Sequence, residues 1–111
     1  MDYAFQNNNK LYFCLEYCPG GEFYYLLQNV SERRFDEHLC KFFAASIVLA
    51  LEYLHRMDIL YRDLKPENVL LASDGYIRIC DFGMSKENVV GAKDAKSICG
   101  TASYLSPEVI Q

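Results

Sequence analysis

The sequence predicts an α+β fold, and three observations carry that prediction. A run rich in aromatic and aliphatic side chains, residues 10–17 (KLYFCLEY), follows the polar stretch Asn7-Asn8-Asn9. It reads as a hairpin turn and then a strand. Apolar residues next recur at mostly three- and four-residue steps over about residues 36–55, which is the period of an amphipathic helix. Beyond Leu60 the texture changes to short strands and loops, with Asp74-Gly75 as a turn signal between two short apolar runs.

Each element has its own local reason. The strand within residues 10–17 is expected to be buried, because its side chains are mostly large and apolar. Pro19-Gly20-Gly21 breaks it. A short helix is expected over residues 22–28, with Phe23, Tyr24, Leu26 and Leu27 as its apolar content. In the long helix Leu39, Phe42, Phe43, Ile47, Ala50, Leu51 and Leu54 form one apolar face, read as core. Asp36 suits the N-cap, and His55-Arg56 suit the negative end of the helix dipole. Val69-Leu70-Leu71 and residues 76–80 complete a small hairpin. Residues 84–106 are polar and irregular and suit a surface loop better than a core element. The chain has no internal repeats and no low-complexity segments.

Bulk properties narrow the function classes. At 111 residues the length suits one small domain. With 51% hydrophobic and 23% charged residues, the composition argues against disorder. Eleven basic against fifteen acidic residues give a formal charge of −4, which offers no broad basic face to nucleic acid. The five cysteines, Cys14, Cys18, Cys40, Cys80 and Cys99, are odd in number and form no C-x-x-C. That argues against a disulfide framework or a zinc site and for reduced thiols in a cytosolic protein. No apolar run is long enough to span a bilayer, and the start of the chain does not look like a signal peptide. A cytoplasmic location is expected, with the nucleus as a second compartment.

The chemistry is concentrated in Tyr61-Arg62-Asp63-Leu64-Lys65-Pro66-Glu67-Asn68, followed by Asp81-Phe82-Gly83. Phosphoryl transfer needs one side chain to meet the attacking hydroxyl, one to balance phosphate charge and two to hold magnesium. These two stretches resemble the catalytic loop and the magnesium loop of eukaryotic protein kinases, with Tyr61 where most kinases carry His. The resemblance implies a protein-kinase-like fold, here the end of the N-lobe sheet, the hinge and the first part of the helical C-lobe. Residues 1–17 would be the end of the N-lobe and the hinge strand. Residues 18–111 would run from the start of the C-lobe through the activation segment.

The resemblance also implies roles, residue by residue, with ATP and Mg2+ as cofactors. Asp63 would orient the substrate hydroxyl and accept its proton, and the adjacent Arg62 favours its ionised form. Lys65 would neutralise charge on the transferred phosphate. Asn68 and Asp81 would supply oxygen ligands to magnesium. Tyr61 and Phe82 resemble two members of the stacked apolar spine. Leu70 matches the residue under the adenine ring; read alone, it is a plain core leucine. Residues 15–22 look like the hinge, with Leu15 as gatekeeper and the backbone of Glu16 and Cys18 reading adenine.

Gly20-Gly21-Glu22, the Tyr61 substitution, Met84-Ser85-Lys86 after the Asp-Phe-Gly, and residues 97–108 (SICGTASYLSPE) are similar to the AGC group of serine/threonine kinases. Against the pattern T-F-C-G-T-P-E-Y-L-A-P-E, the departures are Ser97, Ile98, Ala102, Ser103 and Ser106. Ser97 falls on the activation-loop position that an upstream kinase would phosphorylate, with Arg62 and Lys86 as partners for the added phosphate. Thr101 should contact Asp63 and Lys65. Met84 favours Ser over Thr as acceptor. Glu22 and Glu67 occupy places used to bind arginine upstream of the phosphoacceptor, which implies a protein substrate with basic residues there. Glu22 has a second reading as a contact to the ATP ribose.

The 111 residues do not include a Gly-rich loop, the strand Lys of V-A-I-K or its helix Glu. Two expectations follow. The first is an AGC-type serine/threonine kinase whose complete form transfers the γ-phosphate of ATP, the 111-residue chain alone being poorly folded and inactive. The second is a truncated, inactive kinase fragment that acts as a binding or decoy module.

Overall fold

A computed structural model of the chain describes residues 1–89 and 99–110. Strands β1 (Tyr3–Gln6) and β2 (Leu11–Cys14) pair antiparallel, with Tyr3 opposite Cys14 and Gln6 opposite Leu11. Asn7 builds the turn between them. Its side-chain oxygen accepts hydrogen bonds from the amides of Asn9 and Lys10, at 3.0 and 2.9 Å, in the Asx manner that favours Asn in turns. Phe5 stacks on Tyr12 with ring centroids 4.9 Å apart. Every residue of both strands is exposed. The strand forms where expected, while its expected burial is not met within the described residues. The run is a strand by local preference, but none of the described residues covers it, and Phe13 stands 61% exposed.

Helix α1 (Phe23–Asn29) follows the Pro19-Gly20-Gly21 turn, one residue later than its sequence suggests. Helix α2 (Glu37–Arg56) starts at Asp36, whose carboxylate accepts from the Leu39 amide at 2.9 Å, and ends with His55 and Arg56 in its last turn. Phe43 and Leu54 on α2 are buried, and Leu39, Ile47, Ala50 and Leu51 are half-buried. Phe42 departs from the expected stripe. It stays 40% exposed and rests against Tyr76, at a centroid distance of 5.4 Å.

Strands β3 (Val69–Leu71) and β4 (Ile77–Ile79) form the second antiparallel pair, with Val69 opposite Ile79, Leu70 opposite Arg78 and Leu71 opposite Ile77. The centre of the core is Phe43, Val69 and Ile77, with Phe23, Phe35, Leu39, Ile47, Leu71 and Ile79 packed around it. Phe23 meets Phe43 edge-on at 4.7 Å, an orientation that aromatic quadrupoles favour. The turn before α1 is fixed to β3 through backbone. The Gly20 amide donates to the Leu71 carbonyl at 3.0 Å, and the Leu71 amide donates to the Gly21 carbonyl at 2.9 Å. Only glycine allows this approach at position 20, since a Cβ there would lie 2.6 Å from Leu71 Cβ. A short helix, α3 (Pro107–Ile110), closes the described chain. None of the described helices is long and apolar enough to cross a membrane.

Candidate active site

The loop between α2 and β3 carries most of the expected site, and backbone contacts hold it at both ends. Leu60 and Lys86 exchange two hydrogen bonds, each 2.8 Å, so the entrance of the loop is tied to the segment after Asp81-Phe82-Gly83. Tyr61 then turns inward and is 2% exposed. Its hydroxyl donates to the Cys80 carbonyl, and its ring meets Phe82 edge-on at 5.3 Å. Burial, followed by the nearby Cys80 thiol, pushes the phenol up to about 12.

Arg62 sits in the left-handed region at φ 68°, a conformation that costs a non-glycine residue about 1–3 kcal/mol. Its guanidinium Nε donates to the Met84 carbonyl at 2.7 Å. Gly100, at φ 116°, backs directly onto the Arg62 carbonyl, where a Cβ would lie 2.8 Å away. The backbone around Thr101 can therefore come down onto the loop only because position 100 has no side chain.

Asp63 is the centre of the arrangement and is 7% exposed. Its Oδ1 accepts from the Thr101 amide at 3.0 Å and from Thr101 Oγ1 at 2.7 Å. Its Oδ2 meets Lys65 Nζ at 2.9 Å and Asn68 Nδ2 at 3.1 Å. Asn68 Nδ2 also reaches the Asp63 carbonyl at 3.0 Å, and Lys65 Nζ donates to Thr101 Oγ1 at 2.9 Å. A buried carboxylate is costly unless its oxygens are satisfied. Here four donors do so. The hydrogen bonds from Lys65 and Thr101 hold the carboxyl below the usual aspartate range and outweigh the opposing effect of burial. The Asp63 hydrogen bond likewise raises Lys65 above its ordinary value.

Strand register brings the two expected magnesium ligands to one end of the β3–β4 hairpin. Asn68 immediately precedes β3, while Cys80 and Asp81 immediately follow β4, and the Cys80 amide donates to the Asn68 carbonyl at 3.0 Å. Asp81 is left-handed at φ 57°, and its Oδ1 accepts from the Gly83 amide at 3.1 Å. Asn68 commits its side-chain nitrogen to Asp63, which leaves its amide oxygen as the donor for a cation. One amide oxygen and one carboxylate are hard ligands, the kind magnesium takes together with water and phosphate oxygens. Among the described residues no cluster of three or more His, Cys, Asp or Glu side chains offers a self-contained metal cage.

In the middle of β3, Leu70 is half-buried and its backbone bridges to Glu22. Cys18 is buried. Its amide makes no hydrogen bond among the described residues, and the Glu16 carbonyl meets only the Cys18 thiol at 4.0 Å. Leu15 is exposed. Glu67 lies next to Asn68 in the Pro66–Asn68 turn, and one of its carboxylate oxygens is buried without a hydrogen-bond partner among the described residues. Ser97 lies outside the described residues. Phe82, beside the Tyr61 ring, remains 47% exposed. Two contributors escaped the reading of the sequence. These are Gly100 and the Cys80 carbonyl. Gly100 had a signal, standing directly before Thr101. A backbone carbonyl has none.

The protein kinase domain family matches residues 1–111. The chain is 51% identical over 110 residues to the serine/threonine-protein kinase Sgk1 of Danio rerio, covering 99% of this chain and 25% of that protein. It is 49% identical over 110 residues to the serine/threonine-protein kinase sck1 of Schizosaccharomyces pombe, covering 99% and 16%. It is 47% identical over 112 residues to the RAC family serine/threonine-protein kinase homolog of Dictyostelium discoideum, covering 100% and 25%. The chain thus spans a quarter or less of the length of these curated relatives.

Proposed function

We propose, from the premise that this chain belongs to the protein kinase family and is a partial catalytic domain of AGC type, that the protein carrying it phosphorylates serine or threonine on protein substrates. The observation that carries this reading is the four-donor cluster on Asp63, which gathers Lys65, Asn68 and Thr101 around one ionised carboxylate. In the reaction the substrate hydroxyl oxygen attacks the γ-phosphorus of ATP. The new P–O bond forms as the bond to the β–γ bridging oxygen breaks, ADP leaves with the electron pair, and Asp63 takes the hydroxyl proton. Asp63 already accepts from four donors, so the incoming hydroxyl must compete for a lone pair. Lys65 is the donor able to leave, because a transferring phosphate offers its ammonium a second anion. Its shift would free a lone pair on Oδ2, which keeps its bond from Asn68, and place positive charge where negative charge develops in the transition state.

Asn68 and Asp81 would hold magnesium, whose chemistry there is to offset phosphate charge. The hinge backbone at Glu16 and Cys18, together with Leu70, would take adenine. Glu22 and Glu67 would favour basic residues upstream of the acceptor, since a carboxylate meets a guanidinium in charge-assisted hydrogen bonds. Ser97 would be the site of an upstream kinase, and the cytoplasm its compartment.

The test is transfer of labelled γ-phosphate from ATP to a serine peptide with upstream arginines, using the full-length protein. Incorporation that vanishes in Asp63→Asn supports the reading. A protein that binds magnesium-ATP and transfers nothing under activating conditions points instead to a binding or decoy module.

A further inference from the structure

The hinge is fixed to the β3–β4 hairpin at two points. One is the backbone pairing of Gly20 and Gly21 with Leu71. The other is made by one side chain. Arg78 in β4 donates through Nε to Glu16 Oε2 at 3.1 Å and through Nη2 to Asp74 Oδ2 at 3.0 Å. Asp74 is itself held, because its Oδ1 accepts from the Tyr76 amide at 2.9 Å. The guanidinium is thus aimed by its own hairpin and reaches Glu16 from a fixed base. Arg78 also stands directly opposite Leu70 in the strand register, so both side chains leave the same face of the sheet.

The other ion pairs among the described residues are local. Arg34–Glu32, Lys41–Glu37 and Arg56–Glu52 sit within single turns or helices, and Lys65–Asp63 lies within the catalytic loop. Arg78–Glu16 is the pair, among the described residues, that joins residues 1–17 to the rest of the chain. A pair this exposed adds little to stability. Its effect lies in where it holds the chain. A planar guanidinium that engages two carboxylates through separate nitrogens fixes direction as well as distance.

We propose that Arg78 is a positioning residue for nucleotide. It sets the hinge relative to Leu70, so that the Glu16 carbonyl and the Cys18 amide are aligned before nucleotide arrives. This proposal rests on the nucleotide-binding reading above, and its test separates the two.

In the full-length protein, Arg78→Met, Glu16→Gln and the double variant are compared for ADP affinity by calorimetry and for hydrogen exchange of residues 15–21 without nucleotide. Each single change should weaken ADP about two- to five-fold. The double variant should weaken it no further than either single change, because one interaction is lost in all three. Exchange of the Gly20 and Gly21 amides, which donate to the Leu71 and Cys18 carbonyls, should quicken in the absence of nucleotide. For Arg78→Met, kcat at saturating ATP should stay within about two-fold while KM for ATP rises, and Arg78→Lys should recover part of the loss. Arg56→Ala, which breaks an ion pair on α2, should leave the ADP affinity alone. Unchanged ADP affinity in Arg78→Met, or losses that multiply in the double variant, overturns the proposal. Wild-type protein that binds ADP but transfers no phosphate sinks the kinase reading and leaves the hinge data decisive; protein that binds no ADP overturns both.

Discussion

The loop around Asp63 and the β1–β2 hairpin both begin as short apolar runs broken by Asp or Asn, yet they end in opposite conditions. Around Asp63 the contacts span long stretches of chain: Asp63 to Thr101, Tyr61 to Cys80, Leu60 to Lys86. The buried carboxylate oxygens of Asp63 find partners there, and backbone elements approach because Gly100 allows it. The hairpin's contacts are local, within residues 2–14, and its large side chains face solvent. The contrast separates two sources of order. The hairpin owes its form to turn chemistry and strand propensity, whereas the loop owes its form to a network in which each polar group depends on the others.

That contrast can be broken or sharpened by substitution, with all variants made in the full-length protein. Asp63→Asn should be the most damaging. It keeps the shape but removes the proton acceptor and turns the partner of Lys65 into an amide, and kcat should fall about 10²- to 10⁴-fold in a peptide phosphorylation assay. A loss under five-fold would mean that the network is structural only. Next, Thr101→Ala should lower kcat/KM by about 10- to 100-fold, because Asp63 loses the 2.7 Å hydroxyl donor and Lys65 one of its two acceptors. Thr101→Ser should recover most of that, and failure of the rescue would shift the role to packing of the threonine methyl group.

Gly20→Val comes third. It forces a side chain into Leu71 and should lower stability by about 1–3 kcal/mol by denaturant unfolding. Asn7→Ala, which removes the side-chain acceptor of the Asn9 and Lys10 amides in the hairpin turn, should cost less than about 1 kcal/mol. Equal costs at the two positions would erase the distinction between the regions.

The pH response sharpens the comparison further. Asp63 has a depressed folded pKa, so its contribution to stability is present above its unfolded value and is lost only as pH falls through the lower folded one. Lys65 and Tyr61 are raised, so their contributions are complete below their unfolded values and are lost as pH rises through the folded ones. For Tyr61 that window runs from 10.0 to about 12. Tyr61→Phe should remove its share of the alkaline slope in a pH-dependent unfolding series, and a slope that this substitution leaves unchanged would break the assignment.

Much of this was legible from residues alone. The Asp36 cap, the long helix, the Val69–Leu71 strand and the Asp74-Gly75 turn are local matters, and local signals announced them. The grouping of Asp63, Lys65, Asn68 and Thr101 was legible because their spacing resembles a known catalytic loop and activation segment. Burial was less so. Residues 10–17 read as core because apolar strands usually are, but burial depends on what lies across the face, which a strand's own sequence does not carry. The Arg78–Glu16 pair was missed for a related reason. It joins residues 62 positions apart, and a lone arginine in a strand gives no hint of its partner.

Tyr61 carries one more consequence, for acid rather than alkali. A histidine in its place would change charge between about pH 5 and 8, where imidazole titrates. A phenol whose proton is held to about 12 does not. The strut between the catalytic loop and the Cys80 carbonyl is therefore indifferent to mild acidification. A fall in pH across the imidazole range would leave this joint untouched, and any acid sensitivity of the protein must arise elsewhere.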